Sequence, residues 1–343
     1  MRSFEISVVA YATTSICKEK NMKMNKRKWI FGLSAMLLIS LQGCEKKPVE
    51  SEQVSHKFDP PLTIQHDLGT TVLNQRPERV AALDMNEVDF LDQLNIPVAG
   101  MAKDFIPHYL ASYKNDSSIE DLGAIVQPNM ERVHALKPDL ILMTPLHTSN
   151  YEELSRFAPT LYFNTMTNHH IASIKEHLLT LGSIFGKEQL AKEKSLELDN
   201  KVKEIQQLTQ NRPEKALVVL HNNGSFSSFG KQSRYGFVFN ELGVQPANSD
   251  KETGLHGQPI SSEFIKQADP DIIYIVDRTA VMERRDVIKP DEISNPLLRQ
   301  TKAWKNGRVI FADADAWYIA AASPTAIKIM LNDIAEGYKK IKE

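Results

Sequence analysis

Two apolar runs, Leu140–Met143 and Ile272–Val276, continue without interleaved polar residues. Half-exposed strands alternate, so these runs predict strands covered on both faces, as in a parallel sheet between helices. Shorter strand patterns fall at Val80–Asp84, Val98–Met101, Thr160–Phe163, Ala216–Leu220 and Val309–Ala312, and a hairpin is expected from Leu62–His66 and Thr70–Leu73 about Asp67-Leu68-Gly69. Elsewhere the apolar period lengthens to that of a helix, over Glu87–Leu94, Ile171–Phe185, Lys187–Gln210 and the segment from Pro324 onward. Strands and helices in this order predict an α/β fold.

One thirteen-residue pattern occurs twice, at Glu131–Met143 (ERVHALKPDLILM) and Glu263–Ile275 (EFIKQADPDIIYI), with the Glu and the Pro-Asp pair at the same offsets. Each copy reads as a helix that stops before Pro138 or Pro270 and passes directly into a buried strand. Asn129, and Ser261 or Ser262, are candidate N-caps. Glu131 and Glu263 fall in the first turn, where a carboxylate meets the positive end of the helix dipole. The repeat predicts two Rossmann-like lobes, residues 59–168 and 213–343, joined by connecting helices over 169–212. At ~1.5 Å per residue, Lys187–Gln210 would be about 36 Å long, a stiff link with a ligand cleft between the lobes.

The first 43 residues read as an export leader: Lys23, Lys26, Arg27 and Lys28 precede an apolar run, Trp29–Leu41, and then Leu41-Gln42-Gly43-Cys44, a lipobox whose cysteine would carry lipid. Residues 1–23 fit no leader pattern, and a start at Met22 or Met24 is expected. Glu45–Phe58 is polar and aperiodic, a tether to the membrane. The only cysteines are Cys17 and Cys44, which leaves none in the body for a disulfide or a thiolate-bound metal. Net charge is −2 for the whole chain, and from residue 44 on it is −7, with 34 Lys/Arg against 41 Asp/Glu. That balance argues against a nucleic-acid partner.

No GxGxxG follows a strand, and no phosphate loop or GxSxG is present; Gly224-Ser225-Phe226-Ser227 has the wrong spacing for the last. Catalysis is therefore not expected. Arginine is the candidate chemistry. Arg278 falls at the carboxyl end of a predicted strand, where ligands of open α/β sheets sit, and Arg234 lies in the SRYGF loop; a planar guanidinium suits a bulky anion with aromatic faces. Arg284 and Arg285, farther along, read as surface charge.

The order of VAALD, ALKPD, SRYGF, LHGQPISSEF, DPDIIYIVDR and ADAWY, behind a lipobox, resembles the helical-backbone class of periplasmic substrate-binding proteins that deliver ferric siderophores to ABC importers. The likeness covers essentially Asp59–Glu343. DMNEVDFLDQL, GAIVQPNME, LMTPLH, VVLHNNG and DRTAVMERR narrow it to the lipoproteins that bind anguibactin and acinetobactin, siderophores with mixed donors.

The resemblance implies a monomeric, membrane-anchored periplasmic protein with no cofactor, whose ligand is the ferric complex and whose partner is the permease dimer. Haem, cobalamin or a catecholate siderophore stand as alternative cargoes. It implies ligand contacts from Arg234 and Arg278, and from His256 and Tyr318, which match positions that complete the iron octahedron in some relatives. Met85, Asn86, His147, Tyr151 and Trp317 are further expected cleft residues. Glu131 and Glu263 match the glutamates that dock on permease arginines. Relatives that bind catecholates carry a third arginine after the first repeat's strand. Here the stretch reads Met143-Thr144-Pro145-Leu146-His147, with Leu146 in its place, which implies a less anionic ligand.

Overall fold

In the computed structural model the described residues are 56–339, without 166, 248–253, 290, 291 and 294. The chain divides into Met1–Gln53 and Val54–Glu343, and the description below concerns the second unit. Cys44, the leader and residues 45–55 of the tether lie outside the described residues. The tether ends earlier than expected, because a strand already starts at Lys57. It pairs with Gly69–Gln75 as an antiparallel hairpin in which His66 faces Gly69.

The first sheet is all parallel, in the order Glu120–Asp121, Gly100–Met101, Val80–Ala82, Leu140–Met143, Thr160–Tyr162. In the second, Lys215–Asn222, Ile272–Asp277 and Val309–Phe311 are parallel, and the short strand Gln245–Pro246 joins the start of the first of these. Its other edge is antiparallel: Ser225–Phe229 folds back on Lys215–Asn222, and Gln258–Ile260 pairs with it in turn. The second lobe is thus a mixed sheet. The reversal is made by Asn223 and Gly224, both in the left-handed region with φ of 48° and 82°, as a two-residue hairpin turn requires.

Both repeat copies form helix and strand as expected, Met130–Leu136 with Leu140–Met143 and Ser262–Ala268 with Ile272–Asp277. Asn129 and Ser261 are the caps, accepting from Arg132 N at 3.0 Å and Phe264 N at 3.2 Å. Each helix ends on a left-handed residue, Lys137 or Asp269, just before the proline. The aspartate after the proline then pins the neighbouring parallel strand. Asp139 accepts from Glu78 N and Arg79 N, both at 2.8 Å, and Asp271 accepts from Lys215 N at 2.9 Å.

The connection between the lobes is a pair of helices. His170–Phe185 starts against the second lobe, where Glu241 accepts from His170 N at 2.8 Å, and ends at Gly186, packed on Arg76 of the first. Glu188–Thr209 runs back, and its end is held by Gln206 Nε2 on Glu241 O at 2.8 Å and by Thr209 on Leu242 O. The helices approach closely because residue 182 is glycine: a Cβ there would stand 2.6 Å from that of Ala191. The C-terminal helix Pro324–Lys339 packs on the returning helix and on Met85–Gln93. One apolar core runs unbroken from Val80 and Leu140 through Leu178 and Leu198 to Tyr274 and Trp317, and each sheet covers a smaller core on its outer face.

Polar ties cross the junction where the lobes meet. Asn86 Oδ1 accepts from Ala322 N at 2.9 Å, and Asp89 accepts from Ser323 Oγ at 2.5 Å and Thr325 N at 2.7 Å. Asp89, from the first lobe, thereby caps the C-terminal helix. Glu87 and His177, both buried, meet at 2.8 Å.

Candidate functional site

A hollow of ≈ 300 Å³ lies at the carboxyl ends of both sheets. Its second-lobe wall is built around Tyr318, which sits in a π-helical turn, Asp315–Ile319. Arg278 opens the helix Arg278–Glu283 directly after the strand Ile272–Asp277, and its Nε donates to Tyr318 Oη at 2.7 Å. Arg234 Nη2 donates to the Tyr318 carbonyl at 3.1 Å. The two guanidinium carbons lie 5.7 and 5.6 Å from the Tyr318 ring centroid, one cation–π contact from each arginine. Neither arginine has a carboxylate partner among the described residues. Because Tyr318 Oη accepts from Arg278, its own O–H is left to donate.

Beneath Arg278, Asp277 is buried and caps the same helix through Ala280 N at 3.3 Å. Burial alone would raise its carboxyl, but hydrogen bonds from His221 and Ile288 N and the charge of Arg285 outweigh burial and hold it below the ordinary range. The carboxylate therefore stays charged and engaged below the site.

Among the described residues, the first-lobe wall has no cation. Phe105, Ile125, Val126 and Leu146 line it, and Val126 and Leu146 are 68% and 47% exposed, among the few large apolar side chains left open. Leu146 is thus on the wall, at the position where the resemblance implies a third arginine in catecholate binders. Asn86 and Asp84 form the floor, with Asp84 accepting from Asn86 N at 2.7 Å and from Thr144 Oγ1 at 3.1 Å. Burial raises the Asp84 carboxyl and lowers the imidazole of nearby His147. His170 also lines the hollow, and sequence reasoning missed it. Its ring stacks on Phe237 at 4.7 Å, and Nε2 donates to Ala321 O at 2.9 Å. Burial lowers its pKa to about 4, so the ring is neutral. Its place just before the predicted helix Ile171–Phe185 was the only signal available.

Arg234, Arg278, Tyr318 and Asn86 are therefore brought together, and five other expected residues are not. Trp317 is fully buried, donating Nε1–H to Asp333 at 2.8 Å and packing between Tyr235 and Tyr274, because adjacent residues on a helical turn point in different directions. Met85 is fully buried in the common core. His147 lies behind the wall with no exposure, Nε2 donating to Ile125 O at 2.8 Å, and so supports a cavity residue without facing the hollow. Tyr151 packs edge-on to His66 at 5.6 Å and borders a different hollow, beside Thr70–Val72. His256 is exposed and does not line the hollow, although its neighbour Leu255 accepts from Arg234 N at 3.1 Å. Glu131 and Glu263 are both exposed, each in the first turn of its helix.

No group of three or more His, Cys, Asp or Glu that could hold a metal occurs among the described residues, and no described helix is long and apolar enough to cross a membrane. An exposed cationic cleft between two α/β lobes tied by helices is the architecture of a transport binding protein. Residues 80–316 match the periplasmic binding protein family, and the chain belongs to that family. It is 62% identical over 306 residues to the ferric-anguibactin-binding protein FatB of Vibrio anguillarum, covering 88% of this chain and 95% of the relative. It is 28% identical over 312 residues to the petrobactin-binding protein YclQ of Bacillus subtilis, covering 90% and 98%. It superposes with a TM-score of 0.78 and 64% identity on the siderophore-binding protein BauB, solved with a complex of two acinetobactin molecules and ferric iron, covering 81% of this chain and 98% of that one. Like these relatives, the chain is a substrate-binding protein and not an enzyme.

Proposed function

We propose that this protein captures a ferric siderophore of the anguibactin or acinetobactin type in the periplasm and hands it to an ABC permease dimer, held at the membrane by lipid on Cys44. The observation that carries this is the pair of arginines, Arg234 and Arg278, clasping Tyr318 with no carboxylate to neutralise them. Two unpaired guanidiniums in a concave site call for an anionic ligand, and an aromatic one gains stacking as well. The apolar opposite wall with Leu146 suits a complex of low net charge, one anionic face meeting the arginines and a less polar face meeting the first lobe. On this reading Tyr318, which lines the hollow, meets the iron, and His256, which does not line it, reaches the cargo only by movement of its loop. Glu131 and Glu263 offer one exposed carboxylate per lobe for permease arginines.

Fluorescence titration of the purified protein with the iron complex of acinetobactin, a ferric bis-catecholate and haem tests the cargo. Saturable quenching at micromolar or lower concentration, strongest with the first, is expected, and about tenfold or greater loss in Arg234→Ala or Arg278→Ala. Affinity within a factor of two in both variants would remove the site. A Glu131→Ala/Glu263→Ala protein should bind as before and fail to support uptake; normal uptake would sink the docking role.

A further inference from the structure

The hollow beside Tyr318 holds ≈ 300 Å³. That is the lower end of the roughly 300–1,000 Å³ typical of small-molecule sites. A complex of two siderophore molecules around one iron, such as BauB holds, belongs nearer the upper end. Some part of the wall has to give.

Most of the wall is pinned. Asn86 is held by Asp84 and Ala322, and His170 by Phe237 and Ala321. Phe105 is held differently. It is half-buried, with φ of 48°, a left-handed conformation that costs a bulky residue energy. On its other side the Arg284 guanidinium covers the ring at 4.6 Å from the centroid. Beyond it lies a second hollow of ≈ 340 Å³, bordered by Arg284, His108, Asp313 and Asp315. Phe105 lines the first hollow and Arg284 the second, so the stacked pair is the partition between them.

Arg284 is free to move. Its side chain is exposed and has no ion pair or hydrogen bond among the described residues; the Phe105 ring is its contact. It caps the C-terminal end of the short helix whose Arg278 and Met282 already face the cargo hollow.

We propose that Arg284 is a cargo-binding residue: on loading it exchanges the Phe105 ring for an aromatic, anionic face of the ferric siderophore, and the cargo then occupies both hollows. This rests on the ferric-siderophore reading above.

The test is titration of the wild-type protein, Arg284→Ala, Arg284→Lys and Lys203→Ala with the iron complex of acinetobactin. Lys203 is an exposed cation on the connecting helix Glu188–Thr209 and controls for net charge. The expected result is about tenfold weaker binding in Arg284→Ala, a smaller loss in Arg284→Lys, which keeps the charge without the planar face, and no change in Lys203→Ala. Arg284→Ala within twofold of wild type, or Lys203→Ala as weak as Arg284→Ala, overturns the proposal while leaving the cargo assignment intact. A wild-type protein that does not saturate overturns both.

Discussion

His170 shows how a single position combines structure and site. Its ring is locked by Phe237 and the Ala321 carbonyl, and the only ionisable nitrogen in that geometry is Nδ1, since Nε2 must keep its proton to donate. Burial holds the folded-state pKa at about 4, below the ordinary 6.5. As pH falls, the unfolded chain takes up the proton first, so the stability contributed by the neutral ring is intact above pH 6.5 and is lost between there and pH 4. That loss amounts to at most about 3 kcal/mol. Urea unfolding of the wild type and of His170→Gln, at pH 7 and at pH 4, should show the wild type losing more on acidification. Equal losses would mean that burial leaves the imidazole's pKa where it stands in the unfolded chain. Other residues were legible only in part. The Pro-Asp pairs were found from their repeated spacing, but their work, pinning the start of the adjacent strand, depends on partners such as Arg79, 60 positions away from Asp139.

At the scale of elements, boundaries set by local chemistry were readable: caps, proline stops and Gly186, whose φ of 64° closes the first connecting helix. The edge hairpin of the second lobe is absent from the elements predicted by apolar periodicity, although Asn223-Gly224 is a strong turn signal, because its strand Ser225–Phe229 intersperses serine with phenylalanine and carries no continuous apolar run. The helix Met85–Gln93 was less legible still. It buries Asn86, Glu87 and Asp89, which no apolar period could announce, and each is explained by a partner from another element: Ala322, His177 and Ser323. Asp89 is the sharpest case, a cap supplied to one helix by another. Asp89→Ala should leave Ser323 Oγ and Thr325 N without their shared acceptor and lower stability by about 2–4 kcal/mol. The urea midpoint should fall with an unchanged slope; a loss under about 0.5 kcal/mol would show that the cap is dispensable.

Across the whole molecule, the two lobes could be inferred from the repeat, and the arginines of the cleft from strand ends, because both depend on topology. Which of two adjacent residues faces the cleft did not follow: Trp317 and Tyr318 are neighbours, yet one is fully buried and the other lies between two arginines. The same packing limits how the protein can respond to cargo. Two antiparallel helices, a C-terminal helix capped across the junction and one unbroken core oppose a wide hinge motion. Loading should therefore be felt at the cleft and not in the spine. Amide hydrogen exchange with and without the iron complex of acinetobactin should show added protection around residues 103–108 and 278–288, where Phe105 and Arg284 meet. The helices His170–Phe185 and Glu188–Thr209 should exchange at unchanged rates beyond their first turns. Broad new protection along both helices would instead mean that the lobes close about a flexible connection, and that the polar ties at Asn86 and Asp89 yield when cargo binds.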